Sequence, residues 1–523
     1  MTGREHRECF LLGVDLGTTG TKAALYDTSA RLISEGRAEV PLYHPQPGSV
    51  EQDLRDFYQS ATVAIRQCMD SSRVDPAQVA GLAFDSQMAG IGAIDENFQP
   101  VARFDSWLDS RCRPYIEEID RKCADRVTAL TGCPPTCNHG PKMLWWAHER
   151  PADYARVAKF VTPSCYVAGR AVGLRADEAF IDYTFLHFTA VNDALAGTWS
   201  GELCDTLGID PCRLPRIVAP WTIVGELRPE TAREFGLKSG TPVAAGCGDT
   251  AAGALGAGVV TPELLLDTAG TASVLACCTD RFVADTRNRA LIVMRSVVPG
   301  IWNPLAYVGG GGLALKWYGQ NFSDPAGRDH GSDGSYDDLF ASAMGVPPGC
   351  DGLLFSPHLG GRICPAAPEM RGAWIGFSWG HTGKHFFRAI AESIGYEYAW
   401  YLRILRSLAP ELHLIEARVI GGGAKSEAWN QIKADILSVP YRQLTRKECA
   451  TWGSALVAGK AVGLIIDLVE AATALAPLAG KVAAPNPELQ TAYGTALERY
   501  LHWQQRLKEG FETTMPIQLS GDL

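Results

Sequence analysis

Two glycine-rich turns and one aspartate are the residues of this chain best suited to handling phosphate. Gly17-Thr18-Thr19-Gly20-Thr21-Lys22 supplies closely approaching backbone N–H groups, hydroxyl donors and a cation, which together are what a bound phosphate requires. Asp15, just ahead of the turn, is placed to hold hydrated Mg²⁺. The spacing is not that of a P-loop, because Gly17 and Lys22 do not fit G-x-x-x-x-G-K-[ST] and the next segment reads as a strand. A ligand-free Thr/Gly hairpin turn explains the same residues equally well.

Asp249 follows a second punctuated stretch, Gly246-Cys-Gly248-Asp249-Thr-Ala251. The pattern formally matches a dinucleotide-binding loop, but a carboxylate directly after the second glycine would sit where a pyrophosphate must approach. An aspartate at a glycine-lined helix N-terminus is better suited to take a proton from a substrate hydroxyl, or simply to cap the helix. Asp267-x-x-Gly270-Thr271-x-Ser273 is a faint echo of Asp15-x-Gly17-Thr18-Thr19-x-Thr21, as a duplicated fold with one phosphate-holding turn per copy would produce.

Gly421-Gly422-Gly423-Ala424-Lys425-Ser426 ends one apolar run and opens a helical one, so a flat ring can approach its backbone. A tight strand-to-helix connection is the plainer reading. Gly376-Phe-Ser378-Trp-Gly380 matches the nucleophile elbow of serine hydrolases, and Asp435 or Asp467 followed by His502 preserves the triad order. That rival leaves the other glycine-rich turns unexplained. Cys133, Cys137 and His139 lack a second ligand pair at metal-site spacing and read as a loop.

These residues need strands that end at the turns and helices that begin there. Phe10 to Val14 and Ala23 to Tyr26 read as strands flanking the first turn, and Val79 to Phe84 as a buried strand. Asp53 is placed to cap a helix carrying Leu54, Phe57, Tyr58, Ala61 and Ile65. A long helix with Phe386, Ile390, Ile394, Tyr398, Leu402 and Leu405 on one face precedes a strand from Ala417 to Ile420. With 523 residues, 46% of them hydrophobic, the chain is long enough for two large domains, and a junction is expected near residue 250.

A formal net charge of -10 without a dense Lys/Arg block argues against nonspecific binding to nucleic acid or anionic membrane. The mixed charges ahead of the first apolar run lack the layout of a signal peptide, and Asp467 and Glu470 interrupt the apolar stretch around Leu464, so a cytoplasmic protein is expected. Fifteen scattered cysteines read as reduced thiols.

Taken in order along nearly the whole chain, these segments resemble the FGGY family of carbohydrate kinases. The resemblance implies an α/β fold of two actin-like ATPase (ribonuclease H-like) domains, residues 1–250 and 251–523, with mixed sheets flanked by helices and the active site in the cleft between them. It implies ATP and Mg²⁺ as cofactors and a small sugar or polyol as substrate, and it is compatible with a homodimer. By position, Asp249 matches the catalytic base, and Asp15 and Asp249 the metal-placing residues. Gly17, Thr18, Thr19 and Lys22 match the first phosphate motif, Gly270 and Thr271 the second, and Gly312, Gly422, Gly423, Ala424 and Lys425 the adenosine site. Gln87, Met88, Trp107 and Asp109, together with Asp249, match the sugar pocket.

A pentulose such as xylulose or ribulose is the expected acceptor, with gluconate, glycerol or a four-carbon polyol or ketose as alternatives. Xylulose kinases usually read Gln-Met-His-Gly where this chain has Gln87-Met88-Ala89-Gly90, so a pocket histidine is missing. Thr250 likewise stands where those kinases commonly carry Asn. An ATP-driven switch or chaperone shares the fold and the first turn, but not the Trp107-x-Asp109-x-Arg111 segment.

Overall fold

The computed structural model describes residues 8–322, 333–446, 448–476, 478 and 480–513. Residues 1–7, which carry the leading charges of the N-terminal segment, lie outside them. Counting only strands of the two large sheets, the first is built from β1 (Phe10–Leu16), β2 (Gly20–Asp27), β3 (Leu32–Glu39), β4 (Val79–Ser86), β5 (Ile223–Glu226) and β6 (Pro242–Gly248). Its order is β5-β6-β4-β1-β2-β3. The second sheet contains β7 (Leu264–Ala269), β8 (Ser273–Cys277), β9 (Ile292–Arg295), β10 (Trp302–Val308), β11 (Glu416–Ile420), β12 (Tyr441–Gln443) and β13 (Val482–Ala483), ordered β9-β10-β8-β7-β11-β12-β13.

The two sheets repeat one plan. In each, an antiparallel meander (β1-β2-β3; β7-β8-β10) is followed by two parallel additions (β4 and β6; β11 and β12) and an antiparallel edge (β5; β13). The faint echo between the two Asp/Gly/Thr segments therefore marks equivalent hairpins, one per sheet. A parallel strand requires a crossover, which is why long helices separate β3 from β4 and β10 from β11.

The helices that matter for the site are α1 (Leu54–Ser72), α2 (Arg113–Thr131), α3 (His139–Glu149), α4 (Asp249–Gly256), α5 (Gly311–Phe322), α6 (Gly383–Leu408), α7 (Glu427–Leu437) and α8 (Cys449–Ala461). Asp53 caps α1 by accepting from Arg55 N, and Ser426 caps α7 by accepting from Trp429 N. Helix α6 buries Ile390, Ile394, Tyr398, Leu402 and Leu405 against the second sheet, which is the apolar face its periodicity demands.

Helix α8 belongs by sequence to the second half yet packs on the first. Its residues share a core with Leu11, Ala83 and Ala251, Ala252, Ala254 and Leu255 of α4. Glycine makes the approach possible: a Cβ at Gly13 would lie 1.8 Å from Thr451 O, one at Gly256 1.9 Å from Cys449 O, and one at Gly453 1.9 Å from Ala252 O. Among the described residues no helix is long and apolar enough to cross a membrane.

Candidate active site

The first turn closes the β1–β2 hairpin. Gly17 N donates to Gly20 O at 3.1 Å, and Asp15 pairs with Lys22 across the ladder. Thr18 is tied down from two sides, its carbonyl accepting from Gln52 Nε2 at 2.9 Å and its hydroxyl from Trp107 Nε1 at 2.9 Å. Thr21 points the other way, into the core, and shares a 2.7 Å hydrogen bond with Ser60 Oγ. Lys22 is committed as well: Nζ pairs with Glu448 at 2.8 Å, so the cation next to the turn arrives already balanced.

Asp249 is the first residue of α4, immediately after β6. Gly246 has φ +79°, and a Cβ there would fall 1.7 Å from Phe84 O, so only glycine lets β6 turn sharply beside β4. Gly248 N donates to Thr184 Oγ1 at 2.9 Å, and Thr184 Oγ1 donates to Asp182 Oδ1 at 2.5 Å. This chain of bonds fixes the turn that presents Asp249. Thr250 N donates to Asp249 Oδ1 at 2.6 Å, and Thr250 Oγ1 donates to the same oxygen at 3.2 Å.

A third carboxylate, which sequence reasoning missed, completes the group. Asp85 lies opposite Asp15 in the parallel β1–β4 register. Ser454 Oγ of α8 donates to Asp85 Oδ2 at 2.6 Å, while Asp85 Oδ1 meets no other donor. Asp15 and Asp249 keep partial solvent access; Asp85 has none. Burial raises all three: Asp249 is pushed up to about 7, mainly by desolvation and then by the charge of Asp15. Asp15 is raised by burial against the pull of Lys22, and Asp85 by burial and then by Asp15. The signal that marks Asp85 is an acidic residue at the carboxyl end of an otherwise apolar strand, where α/β sheets place their ligands.

A carboxylate cluster with an orphaned buried oxygen and little compensating charge suits a hard cation. Among the described residues no three acidic, His or Cys side chains converge closely enough to ligate a metal directly. The donor set therefore fits Mg²⁺, which keeps several waters and needs one or two carboxylates plus substrate phosphates.

The second turn gathers the remaining glycines. Gly312 N donates to Gly270 O at 3.1 Å and Leu313 N to Thr271 O at 3.0 Å, so the N-terminus of α5 is stitched to the β7–β8 turn. Gly421, at φ +88°, lies against Ala269 O and Gly270 N, and Gly422 has open space where a side chain would project. Ala424 is buried beneath that surface. Helix α4 spans the two halves, since Gly253 faces Ile420 at the end of β11, just before Gly421.

The segments expected to line a sugar pocket lie beside the first turn. Met88 packs against Gly248, where a Cβ would come within 2.6 Å of its methyl carbon. Gln87 is buried and engaged, donating to Gln52 Oε1 at 2.7 Å. Asp109 is buried too: Oδ2 accepts from Val50 N at 2.9 Å, and Arg111 Nη2 reaches Asp109 at 2.8 Å, Asp105 at 2.8 Å and Glu51 at 2.9 Å. Trp107 stays half-buried, with its ring edge held by Thr18. Lys142 Nζ donates to Ala89 O at 3.2 Å and Cys137 O at 2.9 Å, anchoring the Gln87–Gly90 segment to α3.

The hydrolase rival fails on geometry. Ser378 is exposed and bonds only locally to His381. Asp435 accepts from Gln431 and Asn486, Asp467 caps a short helix, and His502 is exposed on the last helix. Cys133 lies in a loop and donates to Pro134 O.

Comparison with known proteins decides the family. Residues 10–256 match the N-terminal domain of the FGGY family of carbohydrate kinases, and residues 283–462 match its C-terminal domain. The chain belongs to the FGGY family of carbohydrate kinases. It is 30% identical to a xylulose kinase of Staphylococcus epidermidis over 87% of this chain and 88% of that protein. It is 28% identical to a gluconokinase of Bacillus subtilis over 82% of each chain. A crystal structure of a xyloylose kinase from Brucella ovis superposes with a TM-score of 0.86, 25% identity, and coverage of 96% of this chain and 99% of that one. The two-domain FGGY fold and an ATP-dependent sugar kinase activity follow.

Proposed function

We propose that this FGGY kinase transfers the γ-phosphoryl group of ATP to a hydroxyl of a pentulose, with Asp249 as general base. The carrying observation is the placement of Asp249: a carboxyl at a helix N-terminus, beside the first phosphate turn and Asp15. Asp249 accepts the proton of the substrate hydroxyl as that oxygen attacks the γ-phosphorus, and ADP leaves. Residues 1–250 carry the base and the sugar side, and residues 251–523 the nucleotide side. Gly17, Thr18 and Thr19 hold phosphate from one side and Gly270 and Thr271 from the other, while Gly312 and Gly422 to Lys425 receive the adenosine. Asp15 and Asp249 would hold Mg²⁺ through its waters, and the ion would neutralise charge on the phosphates.

Trp107 offers an indole face to the C–H face of the sugar, and Asp109 holds Arg111 and the Val50 backbone so that this wall keeps its shape. Gluconate is the second reading. It is supported by the similarity to gluconokinases, together with Ala89, whose methyl group offers no hydrogen bond where xylulose kinases usually carry His. Coupled ADP release measured over a panel of pentuloses, gluconate, glycerol and tetritols tests both readings. A pentulose kcat/KM below that of gluconate overturns the first, and sugar-independent turnover overturns both.

A further inference from the structure

Asp267 and Lys433 form an ion pair in the core of the second half, and the phosphoryl transfer described above makes no use of either. Asp267 lies on β7, just ahead of Gly270 in the second phosphate turn. Lys433 lies on α7, the helix that follows the Gly421–Lys425 loop. Both side chains are fully buried, and Lys433 Nζ donates to Asp267 Oδ2. The hydroxyl of Tyr398 on α6 donates to the other oxygen, Oδ1, at 2.9 Å.

The pair reaches both nucleotide turns. Asp267 runs directly into Gly270 and Thr271 at the end of β7. On the other side, Lys433 Nζ sits 4.4 Å from the centre of the Trp429 ring, one helical turn earlier, and 5.1 Å from that of Tyr441 on β12. Trp429 supports the adenosine loop: a Cβ at Gly423 would come within 2.5 Å of its ring carbon Cζ3, and its Nε1 donates to Ala391 O of α6 at 3.2 Å. The two turns also touch, since Gly421 and Gly423 both approach Ala269, the residue before Gly270.

Taking two charges out of water costs more than burying apolar side chains of the same size, so the pair adds definition and not net stability. A carboxylate with one oxygen bonded to α6 and the other to α7 fixes where both helices sit against β7. We propose that Asp267 and Lys433 are positioning residues for the nucleotide, holding the adenosine loop at a set distance from the second phosphate turn. This role rests on the assignment of Gly270, Thr271 and Gly422 to Lys425 to the nucleotide. On that assignment ATP spans both turns, and its affinity depends on their spacing.

Calorimetry of ADP binding to the full-length protein, joined to steady-state kinetics, provides the test. Single substitutions of either charge strand the other, so the deciding protein is the triple variant Asp267→Leu/Lys433→Met/Tyr398→Phe, which leaves none of the three polar groups behind and should melt at or above the wild-type temperature. The expected result is a rise of roughly 10- to 100-fold in ADP Kd and ATP KM, with sugar KM unchanged. Tyr398→Phe alone keeps the ion pair and the ring, removes one hydrogen bond, and should raise ADP Kd by roughly three- to tenfold. It decides the question where the triple variant does not fold. A wild-type ADP Kd in the folded triple variant, or in Tyr398→Phe where that one stands in, overturns the positioning role. An equal rise in sugar KM and ATP KM overturns it too, because general loosening of the fold would give that result. Gly422→Leu separates failure of the site assignment, since its side chain would project into open space at the adenosine loop. An unchanged ADP Kd in Gly422→Leu overturns the assignment; a raised Kd there, with an unchanged Kd in the triple variant, overturns the positioning role alone.

Discussion

Asp85 and Asp15 stand side by side in the parallel ladder of β4 and β1, and Ser454 Oγ reaches Asp85 Oδ2 at 2.6 Å from a helix 369 residues further along the chain. The carboxyl group of Asp85 is thus set by both halves of the protein at once. It lies closed to solvent, beside Asp15 in register at the end of the strand that leads into the first turn.

Asp85→Asn should raise the melting temperature at pH 8. The folded state holds Asp85 well above its ordinary value of 3.8, so it binds a proton that the unfolded chain has released, and this group's contribution to stability falls as pH climbs from about 4. Asn removes that titration and still accepts from Ser454. Asp85→Leu strands the Ser454 hydroxyl, and should cost about 1–3 kcal/mol in chemical denaturation together with a fall in kcat. Equal kcat in the Asn and Leu variants would show that Asp85 does not orient Asp15.

Asp249→Asn should abolish sugar-dependent ADP release while ATP still binds, as read by calorimetry. In the wild-type protein kcat/KM should rise with pH through a limb near 7, because the base must be ionised and burial holds Asp249 up to about 7. Stability runs the opposite way. The folded carboxyl keeps its proton above the unfolded value of 3.8, so its stabilising contribution is complete at low pH and is lost as pH rises to about 7. The inactive Asn variant should therefore melt higher than wild type at pH 8, with the gap narrowing toward pH 5.

Thr184→Val should loosen the turn that carries Asp249. It removes the acceptor of Gly248 N and the donor to Asp182, whose carboxyl burial raises to about 7. A loss of about 1–3 kcal/mol is expected from the unsatisfied buried groups, together with a lower kcat. Thr184→Ser should restore both. A Val variant with wild-type kcat would mean that the Asp182–Thr184–Gly248 chain serves stability alone.

The turns themselves were legible in the sequence because glycine is required where backbones cross: Gly246 against Phe84, Gly421 against Ala269, Gly312 against Gly270. The strands beside them followed from apolar runs such as Phe10 to Val14, and the helix starts from Asp53 and Ser426. What stayed hidden depended on pairing across long separations. Lys22 is read as a phosphate cation and Asp109 as a sugar ligand from sequence alone, while their pairing with Glu448 and with Val50 N and Arg111 comes only with the fold. Asp85 shows in a linear reading only as an acidic residue ending an apolar strand, and the β1–β4 register is what sets it against Asp15. The return of α8 to the first sheet is a tertiary choice, encoded in the facing glycines Gly13, Gly256 and Gly453.

Ala89→His probes the acceptor. Ala89 has φ +60°, a left-handed conformation that His adopts more readily than most residues, and its carbonyl is already fixed by Lys142. The added imidazole would follow Met88 in the chain and restore the Gln-Met-His-Gly reading usual in xylulose kinases. If the pocket is built for a ketose, the ratio of kcat/KM for D-xylulose over gluconate should increase by about tenfold or more, the effect of one well-placed hydrogen bond to a substrate hydroxyl. A ratio that stays level or falls while the variant keeps its melting temperature would place the sugar away from residue 89 and favour a substrate that needs the space Ala89 leaves.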